Sequence, residues 1–298
     1  MKIVCFGSIN MDIVYAVPHI AVAGETIVST ARAFHWGGKG LNQAVALAKS
    51  FPEVYMAGFI NKNEESVLDY MRGHNINTKY VRLSEHSTGH AVIYVDKNGQ
   101  NSITVFSGSN HDFTLDYVKE TLNDFEKGDM VLLQNETNGI EWVINEAHDR
   151  GMIVAINPSP FDASILNLPL GKVGYFLYNE IEAEQISGKP MCESMIHILS
   201  DKYPNAVHVL TLGKDGVMCK KGTEVYTHGI YDVKVVDTTA AGDTFTGYFL
   251  AGVLNGAGIA QALELASKAS SIAVSRSGAT DSIPSESEVN QFVARLIS

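Results

Sequence analysis

The stretch DMVLLQNETNGIEWVINEAHDRGMIVAINP, Asp129–Pro158, decides the fold. A short apolar run, DMVLLQ, gives way to GIEWVINEAHDRG, in which Ile140, Val143, Ile144 and Ala147 recur at helical spacing. A second apolar run, MIVAINP, follows. Two short buried strands joined by one amphipathic helix form a crossover unit, and crossover units make parallel sheets covered by helices. The same alternation extends outward from about Glu53, through EVYMAGF, EESVLDYMRGHN and YVRL. The expected fold class is therefore α/β, three layers with a largely parallel central sheet between helices.

Two segments break the alternation. MDIVYAVPHIAVAGETIVSTARAFHWGGKG carries β-like runs and turn residues but no helix, and TGHAVIYVDKNGQNSITVFSG reads as a hairpin turning at KNGQ. Residues 12–36 and 88–107 are thus expected to form a small separate β-sheet inserted in a single domain spanning 1–298. It could cover a cleft at the carboxyl edge of the main sheet, or extend outward to make a dimer, or do both.

Bulk composition narrows the classes. The chain has 298 residues, 45% of them hydrophobic and 18% charged, with a net charge of −11. That supports a sizeable core and excludes a disordered chain. No basic block runs along it, so neither nucleic acid nor an anionic membrane is an expected partner. Cys5, Cys192 and Cys219 lack metal-ligand spacing and are expected as buried small hydrophobes in a reducing compartment. Asn10 and Asp12 interrupt the apolar start, and no run is long enough for a membrane span, so a cytoplasmic protein is expected.

Four constellations could carry chemistry. In VVDTTAAGDTFTGYFLAG, Val235–Gly252, a lone carboxylate, Asp243, falls in the first turn of a helix behind Ala240, Ala241 and Gly242. It could simply favour the helix dipole. Alternatively, the small residues let free N–H groups approach an anion while the acid takes a proton from an attacking hydroxyl, as in phosphoryl transfer. In WGGKGLNQAVALAKS, Gly37, Gly38 and Gly40 open a helix with Lys39 and Asn42 at its mouth. This is neither a Walker A loop nor a dinucleotide fingerprint. It is either a plain turn or a loop that approaches a hydroxyl-rich ligand. In GSINMD, Asn10 and Asp12 share a face of an extended segment, as an Asx turn or as acceptors for vicinal hydroxyls. In YNEIEAEQISG, Asn179 and Glu182 stand three apart, as a solvated acidic face or as groups orienting water on Mg²⁺.

In this order, GSINMD, GGKGLNQA, NPSP, NEIEAE, TLGKDGV and DTTAAGDTFTG resemble the ribokinase family of PfkB-type sugar kinases, over about Lys2 to Pro284. The resemblance implies that family's fold, with the two helix-free segments as a lid that also makes a homodimer contact. It implies transfer of the γ-phosphoryl group of ATP to a primary hydroxyl of a sugar, the 5-hydroxyl of D-ribose in the members it resembles most. By motif, Asp243 is the general base, with the amides around Ala240, Ala241 and Gly242 as anion hole. Asn10, Asp12, Gly38, Lys39, Asn42 and Glu136 match ribose-holding positions. Asn179 and Glu182 match the Mg²⁺ and phosphate motif, and Thr211, Gly213, Gly216 and Ser267 match positions against the nucleotide. Asp237, Thr239, Ala273, Arg276, Gly278 and Ser282 match a site for an activating monovalent cation, usually K⁺. Leu41, Asn135, Thr246 and Ser267 depart from the family's usual residues. The rival readings are a kinase of another small sugar or nucleoside, and a catalytically silent sugar sensor. No Arg stands among the matched substrate positions to receive a carboxylated sugar, Arg32 being the nearest in sequence.

Overall fold

The computed structural model describes residues 1–297. Its main sheet contains β1 (Ile3–Phe6), and its small sheet β2 (Asn10–Val17) and β3 (Ala31–Gly37). There follow α1 (Lys39–Ala48), β4 (Val54–Asn61), α2 (Ser66–Gly73), β5 (Asn77–Ser84), and the small-sheet strands β6 (Gly89–Asp96) and β7 (Asn101–Phe106). The chain continues through α3 (Leu115–Leu122), β8 (Met130–Gln134), α4 (Ile140–Asp149), β9 (Ile153–Asn157), β10 (Tyr175–Asn179), α5 (Glu180–Ser187), α6 (Met195–Lys202) and β11 (Val207–Thr211). It ends with β12 (Val217–Lys221), β13 (Glu224–His228), β14 (Ile230–Tyr231), α7 (Ala241–Leu254), α8 (Ile259–Val274), α9 (Glu286–Gln291) and β15 (Leu296–Ile297).

The main sheet has nine strands in the order β13-β12-β11-β10-β9-β8-β1-β4-β5. All pair parallel except β12 and β13, which add an antiparallel edge. Side chains alternate between two apolar layers. Ile3, Cys5, Met130 and Leu132 pack with α1, α2, α7, α8 and α9, whereas Val4, Phe6, Val131 and Leu133 pack with α3 to α6. The three-layer α/β/α reading holds. From β1 the chain builds outward to β4 and β5, then returns to the other flank of β1 with β8 to β11. The crevice at the carboxyl ends of β1 and β8 is therefore where the winding direction reverses, the place where open α/β sheets bind ligands.

Close helix contacts aim the residues at that crevice. α7 is apolar almost all round and lies between α1 and α8. A Cβ on Gly247 would stand 2.3 Å from the Ala46 Cβ and 2.8 Å from the Leu47 nitrogen, so α1 and α7 meet nearly backbone to backbone. A Cβ on Gly40 would fall 2.5 Å from the Ser8 nitrogen, which brings the start of α1 equally close to the end of β1. The Tyr248 hydroxyl, wholly buried, donates to the Pro284 carbonyl at 2.7 Å and anchors the segment leading into α9.

The small sheet has the order β3-β2-β6-β7. It consists of two antiparallel hairpins joined by a parallel pairing of β2 with β6, from Asn10–Gly89 to Val17–Asp96. The second hairpin turns at Lys97–Gln100, where Gly99 has φ +79° and donates to the Asp96 carbonyl at 3.0 Å. One cysteine expectation fails. Cys5 and Cys219 are buried, but Cys192 is exposed in the polar turn between α5 and α6, where no second layer covers it. Among the described residues no helix is long and apolar enough to cross a membrane.

Candidate active site

α7 begins without a side-chain cap. Ala240, its cap residue, takes the left-handed conformation at φ 57°, unusual for a residue with a Cβ and a cost of order 1 kcal/mol. This turn leaves the Gly242 and Asp243 N–H groups without a protein acceptor among the described residues. The Ala241 N–H differs from expectation, since it points back to the Thr238 carbonyl at a long 3.3 Å. The open amides at the helix start are thus those of Gly242 and Asp243, while Ala241 is partly engaged because the left-handed turn folds it back. No Cβ at Gly242 would meet any atom within 4 Å, so the space above that residue is open.

Asp243 does not cap the helix. Its carboxylate is 7% exposed and accepts from the Asn42 side-chain amide at 3.0 Å through Oδ2 and from Gln43 Nε2 at 2.8 Å through Oδ1. Both donors sit on the first turn of α1, which the Gly247 contact holds against α7. Lys39 opens the same helix, and its ammonium is held above its usual pKa chiefly by Asp243, with Glu136 and Glu182 adding to the effect against the cost of burial. Charge at this crevice is therefore dense and mixed in sign.

Glu136 follows β8 and accepts from the Lys39 backbone N–H at 2.9 Å and from the Ser8 hydroxyl. Burial raises its pKa, with the Ser8 bond and Lys39 opposing. Asp12, on β2, faces the Gly37 backbone so closely that a Cβ there would lie 2.3 Å from Oδ2. Burial, with repulsion from Glu136, pushes its carboxyl up to about 6, and His35 partly offsets this. Asn10 is 4% exposed, and its Oδ1 accepts from Asn110 Nδ2 at 2.7 Å across Gly89, where any Cβ would collide with both side chains. Gly38 has φ +90°, which swings Lys39 into α1. Asn10, Asp12, Gly38, Lys39, Asn42, Glu136 and Asp243 are thus gathered from β2, α1, the end of β8 and α7.

Two adjoining cavities meet at the start of α7. One, of about 390 Å³, is lined by Asn179, Thr211, Gly213, Gly216, Gly242 and Ser267, joined by Ser270, Ile230 and others. The other, about 220 Å³, is lined by Lys39, Asn157, Glu182, Ala240, Ala241, Gly242 and Asp243. Asn179 and Glu182 are not a solvated acidic face. They form a capping box at the start of α5, with Glu182 5% exposed and its carboxylate accepting from the Asn179 N–H at 3.0 Å and side-chain amide at 3.2 Å. Each carboxylate oxygen accepts one of these bonds and has acceptor capacity left, and Glu182 lines the cavity, a set of oxygens suited to a hydrated Mg²⁺.

Of the six positions matched to a monovalent cation, Ala273 lies in the last turn of α8 and the other five on two connecting segments tied by one carboxylate. Asp237 Oδ1 accepts from the Thr239 N–H at 2.9 Å and hydroxyl at 2.6 Å, and Oδ2 accepts from the Gly278 N–H at 3.1 Å. Ala273 ends α8, the Ser282 hydroxyl donates to the Ala279 carbonyl at 2.7 Å, and the Arg276 side chain turns outward to Glu288 at 2.6 Å. A single negative charge among backbone groups fits a monovalent ion better than a divalent one. Of the departures, Leu41 and Thr246 are buried, and Asn135 donates to the Pro160 carbonyl at 2.7 Å and Asp162 at 2.8 Å, away from Lys39. Arg32 is exposed in the small sheet, stacked 4.4 Å over Phe34.

Sequence reasoning missed Gln43, Gln134, Asn157 and Asn110. Three of them carried a signal: Gln134 and Asn157 each end an apolar strand with an amide, and Gln43 is a polar residue inside the apolar run LNQAVALA.

Residues 1–286 match the pfkB family of carbohydrate kinases. A ribokinase of Haemophilus influenzae is 32% identical over 96% of this chain and 96% of its own length. A ribokinase of Bacillus subtilis is 30% identical over 99% of this chain and all of its own. The structure of Arabidopsis thaliana ribokinase complexed with ribose and ATP superposes with a TM-score of 0.86 at 28% identity, covering 98% of this chain and 99% of that one. With the family's motifs spread over the nearly complete match, the chain belongs to the pfkB family of carbohydrate kinases.

Proposed function

We propose that this carbohydrate kinase is a ribokinase, transferring the γ-phosphoryl group of ATP to the 5-hydroxyl of D-ribose. The observation that carries the reading is the Asp243 carboxylate, held by two amide donors beside the open N–H groups of Gly242 and Asp243, where the two cavities meet. Asp243 takes the hydroxyl proton as the sugar oxygen bonds to the γ-phosphorus and the bond from phosphorus to the β-γ bridging oxygen breaks, releasing ADP. The open amides face the charge that gathers on the moving phosphoryl oxygens. Lys39 adds positive charge on the same side. Ala240, by its left-handed turn, aims the amides.

Asn10, Asp12, Glu136 and Asn42 supply the acceptors and donors for the ribose hydroxyls, with Gly38 giving the backbone room to approach. The buried Asn42 Oδ1, which has no partner among the described residues, suits a sugar hydroxyl donor. Thr211, Gly213, Gly216 and Ser267 form the nucleotide side. Mg²⁺ would supply charge neutralisation of the phosphates, with Asn179 and Glu182 orienting its water shell. K⁺ would be held between the Asp237 and Gly278 loops, the first of which leads directly into the start of α7, so activity is expected to be higher in K⁺ than in Na⁺ or Tris. The small sheet acts as the lid. Its exposed Phe34 and Phe106, which lie on the face opposite Asp12, support a homodimer through that outer face.

A coupled assay of ADP release with MgATP and KCl tests the reading against ribose, deoxyribose, fructose, a nucleoside and no sugar. Ribose should give a kcat/KM at least about tenfold above the others. A higher value for another acceptor moves the substrate assignment, and ribose binding without ADP release makes the protein a sensor.

A further inference from the structure

We propose that Gln43 is a positioning residue for the Asp243 carboxylate, and that Gln134 and Asn157 lock its amide in the only orientation that serves, an inference that rests on Asp243 being the base. The lock follows from three contacts. Asn157 donates its Nδ2 to the Leu177 carbonyl at 2.9 Å, which turns its Oδ1 toward Gln43 at 2.9 Å. Asp243 presents only acceptors, with Oδ1 at 2.8 Å from Gln43 Nε2. Gln134 Nε2 donates to Gln43 Oε1 at 2.7 Å from the opposite side. Reversing the Gln43 amide would set an oxygen against two oxygens and an NH₂ against an NH₂. Both Nε2 hydrogens are therefore committed, one to the base and one to Asn157.

The cluster is dry. Gln43 is wholly buried, Gln134 1% and Asn42 6% exposed. An amide in such a place costs about 1–3 kcal/mol wherever a bond goes unmade, and Leu41, Ala44, Val45 and Leu47 around it show that the helix fills its core with apolar side chains. Gln43 makes its bonds and spends one on the carboxylate. A neutral donor at that oxygen favours the ionised form, as the base requires before it accepts a proton. The other charged or titratable groups around Asp243 are Lys39, Glu136 and Glu182, together with Cys5, whose buried thiol is pushed up to about 12 and stays neutral. Among the described residues only Gln43 and Asn42 bond the carboxylate through their side chains.

The experiment compares kcat–pH profiles at saturating sugar and MgATP for wild type, Gln43→Met and Gln134→Met, with nucleotide dissociation constants and Tm measured alongside. Gln43→Met should lower kcat at neutral pH about tenfold and move the acid limb upward by about one unit, one unit being tenfold in protonation. Nucleotide affinity should stay within about twofold. Gln134→Met, which frees the amide without removing it, should shift the limb the same way by less, and it carries the same readout if Gln43→Met does not fold. A limb unmoved in both variants, whether or not kcat or Tm falls, assigns Gln43 to packing alone and overturns the proposal. Asp243→Asn run in parallel separates the two ideas: turnover retained there defeats the base itself, whereas turnover lost there with unmoved limbs defeats only the positioning role.

Discussion

The two cavities that meet at α7 use opposite chemistry. The smaller one is lined by the charged Lys39, Glu182 and Asp243, with Glu136 bonded to the Lys39 N–H just behind it and Asp12 beyond; burial pushes the Glu136 and Asp12 carboxyls up, and Asp243 holds the Lys39 ammonium protonated. On the side of Thr211, Gly213, Gly216 and Ser267 the lining is glycine, hydroxyl and apolar side chains such as Ile181, Val217, Ile230 and Phe245, with Glu180 its one titratable residue among the described residues. Binding on the first side is therefore expected to answer to pH, and binding on the second to be nearly indifferent to it.

The sharpest way to break this contrast is Asp243→Asn. It should lower kcat about 10²-fold or more with nucleotide affinity unchanged; steady-state kinetics and nucleotide titration would contradict it if turnover stayed near normal. Gly242→Val strikes the wall that the two cavities share. Gly242 is not required by the fold, since its φ lies outside the left-handed region and a Cβ meets nothing, so Tm should barely move while nucleotide KM rises about tenfold or more through crowding of the ligand space. A lower Tm with unchanged KM would mean the space is structural.

A smaller effect comes from pH. The Asp12 carboxyl, raised to about 6, is the ionised acceptor only above that value. Sugar KM should therefore be level above about pH 6 and climb, by at most about tenfold per unit, as pH falls below it, while nucleotide KM stays flat. The same shift has a stability sign. Because the folded pKa exceeds the ordinary 3.8, the unfolded chain ionises first, and the ligand-free protein loses stability as pH rises from about 4 through about 6. Parallel pH series for the two substrates, with Tm, check both halves; equal slopes would erase the contrast. The smallest effect is expected from Ser267→Ala, about twofold in nucleotide KM, since a single neutral hydroxyl in a backbone-lined cavity contributes little. A tenfold loss there would show that the neutral side relies on a side chain after all.

The sequence displays much of this because its signals are local. Asp129–Pro158 shows its crossover through periodicity alone, and Asp243 announces itself as one acid behind three small residues at a helix start. Other features depend on what chain-distant parts bring together. Nothing near Gln43 in sequence indicates that Gln134 and Asn157, from two other strands, will hold its amide. The partial engagement of the Ala241 N–H follows from the left-handed turn at Ala240, which an alanine does not advertise. Asn179 and Glu182 stand at the right spacing, yet whether such a pair is solvated or buried depends on the layer packed over it.

The small sheet has a mechanical consequence. Each of its hairpins leaves the body and returns beside its point of departure: between Phe6 and Asn10, between Gly37 and Lys39, between Ser84 and Gly89, and between Phe106 and Gly108. Four short tethers hold it, and the β2–β6 pairing welds the hairpins into one plate. Such a plate can tilt on its moorings but cannot swing wide like a flap on one hinge. Any tilt carries Asp12 with it, so that carboxyl moves with the plate and not with the main sheet.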